Sequence, residues 1–167
     1  MKTEVQTILD HEDIKNKIRR IAYQIYESNV DEKEIILAGI ALNGYVIAER
    51  LKAILEEVSA LQCTLCKVTM NKTAPQGTVE TSLNASEYKD KSLVLIDDVL
   101  NSGTTLIYGV KHFLDVPLKQ FKTAVLVNRN HKKYPVKADF KGISLRTSLN
   151  ERVKVRFKPG EDSAILE

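Results

Sequence analysis

The sequence holds no apolar run approaching the ~18 residues that a membrane-spanning helix needs. Its opening residues, Met1-Lys2-Thr3-Glu4, lack the apolar core of a secretory signal, which points to the cytoplasm. Cysteine is scarce: the two present, Cys63 and Cys66, form a C-x-x-C. No second cysteine pair and no histidine pair at metal spacing accompanies them, so a four-ligand zinc site is excluded. A redox pair would sit at a helix N-terminus. Here Cys66, Val68 and Met70 alternate with Lys67 and Thr69, a strand pattern that makes the cysteines structural. A large charge of one sign is missing too. The 25 Lys+Arg against 22 Asp+Glu leave +3, too little to mark a nucleic-acid binder by its field alone. Repeats, low-complexity tracts and linkers are absent.

What remains is an ordinary globular composition, 43% hydrophobic and 28% charged in 167 residues. That length suits one domain over residues 1–167, burying about two-thirds of the unfolded surface around one core. Asp10 is placed to cap a helix carrying Ile14, Ile18, Ile21 and Ile25 at helical spacing. Residues 34–39 form a short apolar run, as in a strand buried on both faces. A second helix starts at Gly44, with Ile47, Leu51, Leu55 and Val58 on one face, and the Cys63–Met70 strand follows it. Residues 71–88 are poor in apolar side chains and read as a long mobile loop or hairpin. Ser92–Ile96 reads as a strand, Thr104–Leu114 as a helix and Phe121–Val127 as a third central strand. From Asp139 alternation returns, and Val153 and Val155 mark the last strand. Strands alternating with helices imply a parallel α/β sheet. Ligands of such sheets bind beyond the strands' carboxyl ends, here at residues 40–44, 97–103 and 128–130.

The most informative stretch is Leu93-Val-Leu-Ile-Asp97-Asp98-Val-Leu-Asn101-Ser102-Gly103-Thr104-Thr105. Two adjacent carboxylates follow a strand, and a polar loop with one glycine then enters a helix. Backbone N–H groups of Asn101 to Thr105, with the hydroxyls of Ser102, Thr104 and Thr105, would form an anion nest suited to a phosphate monoester. Gly103 lets the backbone approach the ligand closely. Asp97 and Asp98 would repel that phosphate and instead suit a sugar diol, or a Mg²⁺ held through water. A helix cap explains Ser102 as well as a ligand does.

This segment resembles the phosphoribosyl-pyrophosphate (PRPP) motif of the type I phosphoribosyltransferases: four apolar residues, two acidic residues and a Thr/Ser-Gly-x-Thr loop. The likeness covers most of the chain. It is nearest to the pyrimidine-operon attenuator proteins that double as uracil phosphoribosyltransferases. Gly39-Ile-Ala-Leu-Asn-Gly44 is similar to their pyrophosphate loop, residues 125–139 to the segment after their last central strand, and Thr147-Ser148 to their C-terminal part. The resemblance implies a parallel sheet with helices on both faces and a small hood formed by the terminal segments. It implies Mg²⁺-dependent transfer of phosphoribose from PRPP to a nucleobase, uracil first, with release of pyrophosphate. The alternative it carries is an RNA-binding regulator of pyrimidine genes, with PRPP or a nucleotide as effector and little catalysis. A homodimer or higher oligomer is implied, and no membrane.

By the same likeness Asp97 and Asp98 bind the ribose hydroxyls and hold the metal through water or the ribose, and with Lys72 they are the catalytic residues. Val99, Leu100, Asn101, Ser102, Gly103, Thr104 and Thr105 complete the PRPP site. Ala41, Leu42, Asn43 and Gly44 face the pyrophosphate, and Asn128, Arg129 and residues 139–142 form the hood over the base. Phe140 either stacks under the base or packs in the core. Some positions depart from the pattern. Lys72 stands where attenuators carry Tyr-Arg, keeping a charge but losing the planar fork, in a shortened loop. Asn101 replaces a carboxylate of the purine enzymes, and an amide is no base, which favours uracil over hypoxanthine or guanine. Leu42-Asn43 replaces Thr-Arg, and Leu149 replaces a lysine. Lys15, Lys17, Arg19 and Arg20, with Arg129, His131, Lys132 and Lys133, are either a weak RNA surface or solvated charge.

Overall fold

In the computed structural model, which describes residues 4–167, Asp10 caps the first helix, α1 (His11–Glu27), as its position in the sequence predicts. Its carboxylate accepts the Asp13 N–H at 2.8 Å, and Asp13 accepts the Asp10 N–H at 3.0 Å. The reciprocal pair satisfies two of the donors that a helix start leaves open. Before α1 lies β1 (Gln6–Leu9). After it come β2 (Glu34–Ile40), α2 (Asn43–Val58), β3 (Gln62–Thr69), β4 (Glu80–Thr81) and α3 (Ala85–Tyr88). Then follow β5 (Ser92–Leu100), α4 (Thr104–Phe113), β6 (Gln120–Arg129), β7 (Phe140–Leu145), β8 (Val153–Arg156) and β9 (Ser163–Leu166).

The central sheet has the order β4-β3-β2-β5-β6-β7, all parallel except the antiparallel β4. Its two faces bury different halves of the sequence. On one, Ile14, Ile18, Ile21 and Ile25 of α1 and Ile47, Leu51 and Leu55 of α2 cover Ile35, Leu37, Val94 and Ile96. On the other, Tyr88 of α3 and Leu106 and Phe113 of α4 cover Ile36, Ala38, Ile40, Leu93 and Leu95. Alternate residues of β2 and β5 therefore serve opposite cores, which is why these strands read as continuous apolar runs. Cys63 joins the first core and Cys66 the second. They face away from each other and cannot bridge. Burial, aided by the Glu56 charge, pushes the Cys63 thiol up to about 11, so it stays protonated and inert.

A second sheet, β1-β9-β8, is antiparallel and draws on both ends of the chain. It is the hood that the family resemblance implied. The final strand is β9, not the segment at Val153 and Val155. Its four residues are too few to show alternation, and it exists by pairing with β1 and β8. Segment 71–88 is not simply a loop, because Asn84 and Glu87 cap the short α3 and β4 pairs with β3. Among the described residues no helix is long and apolar enough to cross a membrane.

The hood is pinned by one buried carboxylate. Asp162, just before β9, accepts from Arg50 of α2 (Nη1–Oδ2 2.5 Å, Nη2–Oδ1 3.2 Å), and His11 Nδ1 lies 3.2 Å away. The Arg50 guanidinium also stacks on the Phe157 ring at 4.6 Å. Burial alone would raise the Asp162 pKa, but the Arg50 hydrogen bond and charge more than offset it and hold the carboxyl below its ordinary value. Arg50→Met is expected to destabilise the protein by about 2 kcal/mol at neutral pH, because it leaves a buried carboxylate unpaired. A depressed pKa contributes stability above the ordinary aspartate range and loses it as pH falls through that range. Urea unfolding of wild type and Arg50→Met should therefore converge in acid.

Candidate active site

The site is built where the carboxyl ends of β2, β5 and β6 open beneath the hood. β5 does not stop at Ile96. It runs through Asp97 and Asp98 to Leu100, pairing with β6 from Ser92↔Gln120 to Leu100↔Asn128. Both carboxylates therefore stand on a strand, oriented by their own backbone: Asp97 Oδ1 accepts the Asp98 N–H at 2.8 Å, and Asp98 Oδ1 accepts the Val99 N–H at 2.8 Å. Asp97 is 3% exposed. Burial and the neighbouring Asp98 charge push it up to about 7, against the opposing pull of Lys72. Lys72 reaches in from the β3–β4 connection, with Nζ 3.3 Å from Asp97 Oδ1. The sequence reading joined these three residues, and the structure brings them together.

Beside them lies the start of α2. The turn at Ala41–Leu42 contains a cis peptide bond, and the Ala41 N–H donates to the Val68 carbonyl at 2.8 Å. A Cβ on Gly44 would fall 2.5 Å from the Ile96 carbonyl oxygen, so only glycine lets the helix end rest on β5 here. Leu42 is 76% exposed. Asn43 turns its amide to Asp98 Oδ2 and to the Val155 carbonyl of β8, both at 2.9 Å.

The loop after β5 has the geometry of an anion nest. Gly103 adopts φ +87° and is the N-cap of α4, offering no side-chain acceptor of its own. The cap is thus Gly103 rather than Ser102. The Ser102 hydroxyl lies 2.8 Å from Thr104 Oγ1 and accepts the Thr104 N–H at 3.3 Å. Asp97, Asn101, Ser102, Gly103 and Thr105 border one small concavity. From behind, Lys133 and Tyr134 donate their N–H groups to the Ser102 carbonyl at 2.7 and 3.2 Å, and Val136 blocks any Cβ on Gly103. An αL glycine at the mouth of a helix, beside the hydroxyls of Ser102 and Thr104, suits a phosphate.

Other candidates are placed differently. Arg129, expected over the base, is 4% exposed and committed as a brace. It donates to Thr147 Oγ1 (2.9 Å), Asn101 Oδ1 (3.0 Å), the Ser148 carbonyl (3.2 Å) and the Glu151 carbonyl (2.6 Å). Phe140 opens β7 opposite Ala124 and packs with the α1–α2 core, at the end of β7 remote from the site, so the packing alternative holds. A parallel strand that begins at Phe140 reaches the site only at Ser144. There Asn128 Nδ2 donates to Ser144 Oγ at 3.2 Å, and Asn128 Oδ1 is buried without a partner. Of the basic residues, Arg20 is spent on the Gly142 and Lys141 carbonyls (2.6 and 3.1 Å), and His131 on the Thr147 carbonyl. Lys15, Arg19, Lys132 and Lys133 stay exposed. The sequence reading missed Ser144 and the Asn43–Val155 link, since neither carries a motif, and it named Thr147 without its bond to Arg129.

Residues 4–158 match the phosphoribosyl transferase domain. The "Bifunctional protein PyrR" of Alkaliphilus metalliredigens is 34% identical, covering 96% of this chain and 93% of that protein. The protein of the same name from Deinococcus radiodurans is 30% identical over 96% of this chain and 92% of its own length. Among solved structures, a hypoxanthine-guanine phosphoribosyltransferase of Bacillus anthracis superposes with TM-score 0.74 at 20% identity, covering 96% of this chain and 99% of its own. The hypoxanthine phosphoribosyltransferase of Trypanosoma cruzi gives 0.73 at 15%, covering 89% and 84%.

The raised Asp97 pKa has a signed consequence. The folded state retains a proton that the unfolded chain loses near pH 4, so wild type loses stability as pH rises from there to about 7. Asp97→Asn escapes this loss. Its stability relative to wild type should grow by up to about 1.4 kcal/mol per pH unit over that window and level off above it. Chemical unfolding at pH 4.5, 5.5, 6.5 and 8 checks both the sign and the plateau.

Proposed function

We propose that this chain, which belongs to the phosphoribosyl transferase family, is a Mg²⁺-dependent phosphoribosyltransferase that moves ribose 5-phosphate from PRPP to uracil and releases pyrophosphate. The observation that carries the reading is the Asp97–Asp98 pair set on β5 beside the Gly103 nest. The nest would take the 5′-phosphate and the carboxylates the ribose hydroxyls of the same ligand. Asn101 offers no carboxylate for a purine ring proton. Asn128, at the carboxyl end of β6, carries an amide that can both donate and accept. Both favour uracil.

Among the described residues no three His, Cys, Asp or Glu side chains gather as a metal cage. That suits Mg²⁺, which keeps several waters and takes one or two carboxylates along with substrate oxygens. Asp97 and Asp98 are the residues that would hold it. When bound, it neutralises charge on the departing pyrophosphate. The reaction breaks the C1′–O bond to pyrophosphate and forms a C1′–N bond to the base, through a ribose with oxocarbenium character. Asp97 and Asp98 offset that positive charge, the nest fixes the far end of the sugar, and the backbone of residues 41–44 faces the leaving group. Positioning and electrostatics supply most of the rate in such a reaction. Lys72, with Nζ 3.3 Å from Asp97 Oδ1, is the cation that the structure sets beside the carboxylates.

Incubation with PRPP, Mg²⁺ and each nucleobase in turn should release pyrophosphate fastest with uracil. Lys72→Ala should lower kcat by roughly 10² to 10³, as loss of one transition-state donor does elsewhere. Asp98→Ala should abolish PRPP binding in a calorimetric titration. Absence of PRPP and UMP binding in the wild type would remove the reading, and a purine turned over faster than uracil would reverse the choice of base.

A regulatory reading with RNA as partner is favoured by one observation: the loop that grips Ser102 carries the exposed Lys132 and Lys133. With Arg20, Arg129 and His131 engaged elsewhere, four exposed cations (Lys15, Arg19, Lys132 and Lys133) remain. At ~0.7 to 0.9 per phosphate contact they set a salt slope near −3. RNA titration at two salt concentrations, repeated with Lys132 and Lys133 changed to Gln, should show that slope falling by about 2. A flat salt response would leave these residues as solvated surface.

A further inference from the structure

One side chain joins the carboxylate pair to the hood. Asn43, the first residue of α2, donates one Nδ2 proton to Asp98 Oδ2 and the other to the Val155 carbonyl of β8, each at 2.9 Å. A primary amide has two protons to give, so its donor capacity is exhausted. Asp98 Oδ1 is held by the Val99 N–H, and the Asn43 bond therefore fixes the other oxygen. Val155 is 7% exposed and pairs with Ala164 of β9, which is fully buried, so its carbonyl reports where the whole hood sheet sits. The hood has a separate anchor in Arg50–Asp162, about two helical turns along α2 from Asn43. That anchor keeps the hood attached without Asn43. What Asn43 adds is register between β8 and Asp98.

We propose that Asn43 is a positioning residue that couples the seating of the hood to the orientation of Asp98. The inference deepens the phosphoribosyltransferase reading, since Asp98 matters to the ligand only if that reading holds. The coupling itself belongs to this chain's own residues. Two bonds through one nitrogen are mutually dependent: an Asp98 that holds the amide in place aims its second proton at Val155, and an Asp98 that lets go frees both. With both of its protons engaged, the Asn43 side chain has none left to give a pyrophosphate facing the 41–44 loop.

The test needs no ligand in its first part. Amide hydrogen exchange over Val153–Arg156 is measured on the full chain for wild type, Asn43→Leu, Asp98→Ala and the double variant. Each single variant is expected to speed exchange at least threefold, and the double to be no faster than Asn43→Leu alone, while amides of α1 are unmoved. The hydrogen bonds of the Asp98 side chain go to Asn43 and Val99 and not to β8, so an effect of Asp98→Ala on β8 that vanishes in the Asn43→Leu background is one that a merely local packing role would not produce. Unchanged β8 exchange in Asp98→Ala, or strictly additive effects, overturns the proposal. If Asn43→Leu does not fold, Asn43→Ser removes the same bridge without adding volume. In the second part, Asn43→Leu should raise the KM for PRPP at least fivefold and lower kcat with it, because Asp98 holds the ribose hydroxyls in the ground state and offsets charge that develops in the transition state. A fall in kcat at unchanged KM overturns this assignment. A wild type that does not bind PRPP refutes the functional reading and leaves the exchange cycle to decide the coupling.

Discussion

The helix α2 reaches β5 without a side chain between them. Gly44 lies so close to the Ile96 carbonyl that any Cβ would overlap it, and everything at the ligand end of the sheet follows from that contact. It puts Asn43 within hydrogen-bond reach of Asp98 and of β8 at once. It sets the 41–44 turn beside the carboxylates. Further along the same helix, it places Arg50 where the hood returns. A larger residue at position 44 would lift the helix end from the strand and separate all three at the same moment, since the interior is close-packed and has no slack to absorb the shift.

The second organising tension is electrostatic. Two neighbouring carboxylates on a buried strand are an unfavourable arrangement. The chain eases it with a backbone N–H at one oxygen of each carboxylate, with the Asn43 amide, and with one lysine from a connecting segment. None of these removes the strain on Asp97, whose proton affinity stays high. A group held in an uncomfortable state by its surroundings is poised to be relieved by a ligand that brings positive charge or hydroxyl donors. The fold does not need that strain, because the sheet would be more comfortable with an apolar residue at position 97.

How much of this was legible in the sequence depends on the range of the interaction. The buried runs at 34–39 and 92–96, the Asp10 cap and the turn into α4 at Gly103 are local patterns, and each sits where it was read. The carboxylate pair was legible for the same reason, although its strand continues to Leu100 because pairing with β6 persists past the polar residues. What could not be read was contact between distant segments. Arg129 looked like a free cation, yet it is consumed by carbonyls and side chains up to 28 positions away. Phe140 looked as suited to a platform as to a core until its strand's register put it at the wrong end. β1 and β9 are each four residues long and have meaning only as partners.

That partnership bears on the order of assembly. The pairings of the central sheet reach no further along the chain than Ile36 with Leu93, whereas the hood pairs Gln6 with Leu166 and draws Asp162 to His11 and Arg50. Contacts of such long sequence separation form late, because the chain entropy they consume is recovered only when the rest is in place. The loop of residues 101–105 thus sits on a sheet whose own pairings do not include the hood, and the segment with the longest-range contacts is the one expected to open first in native fluctuations.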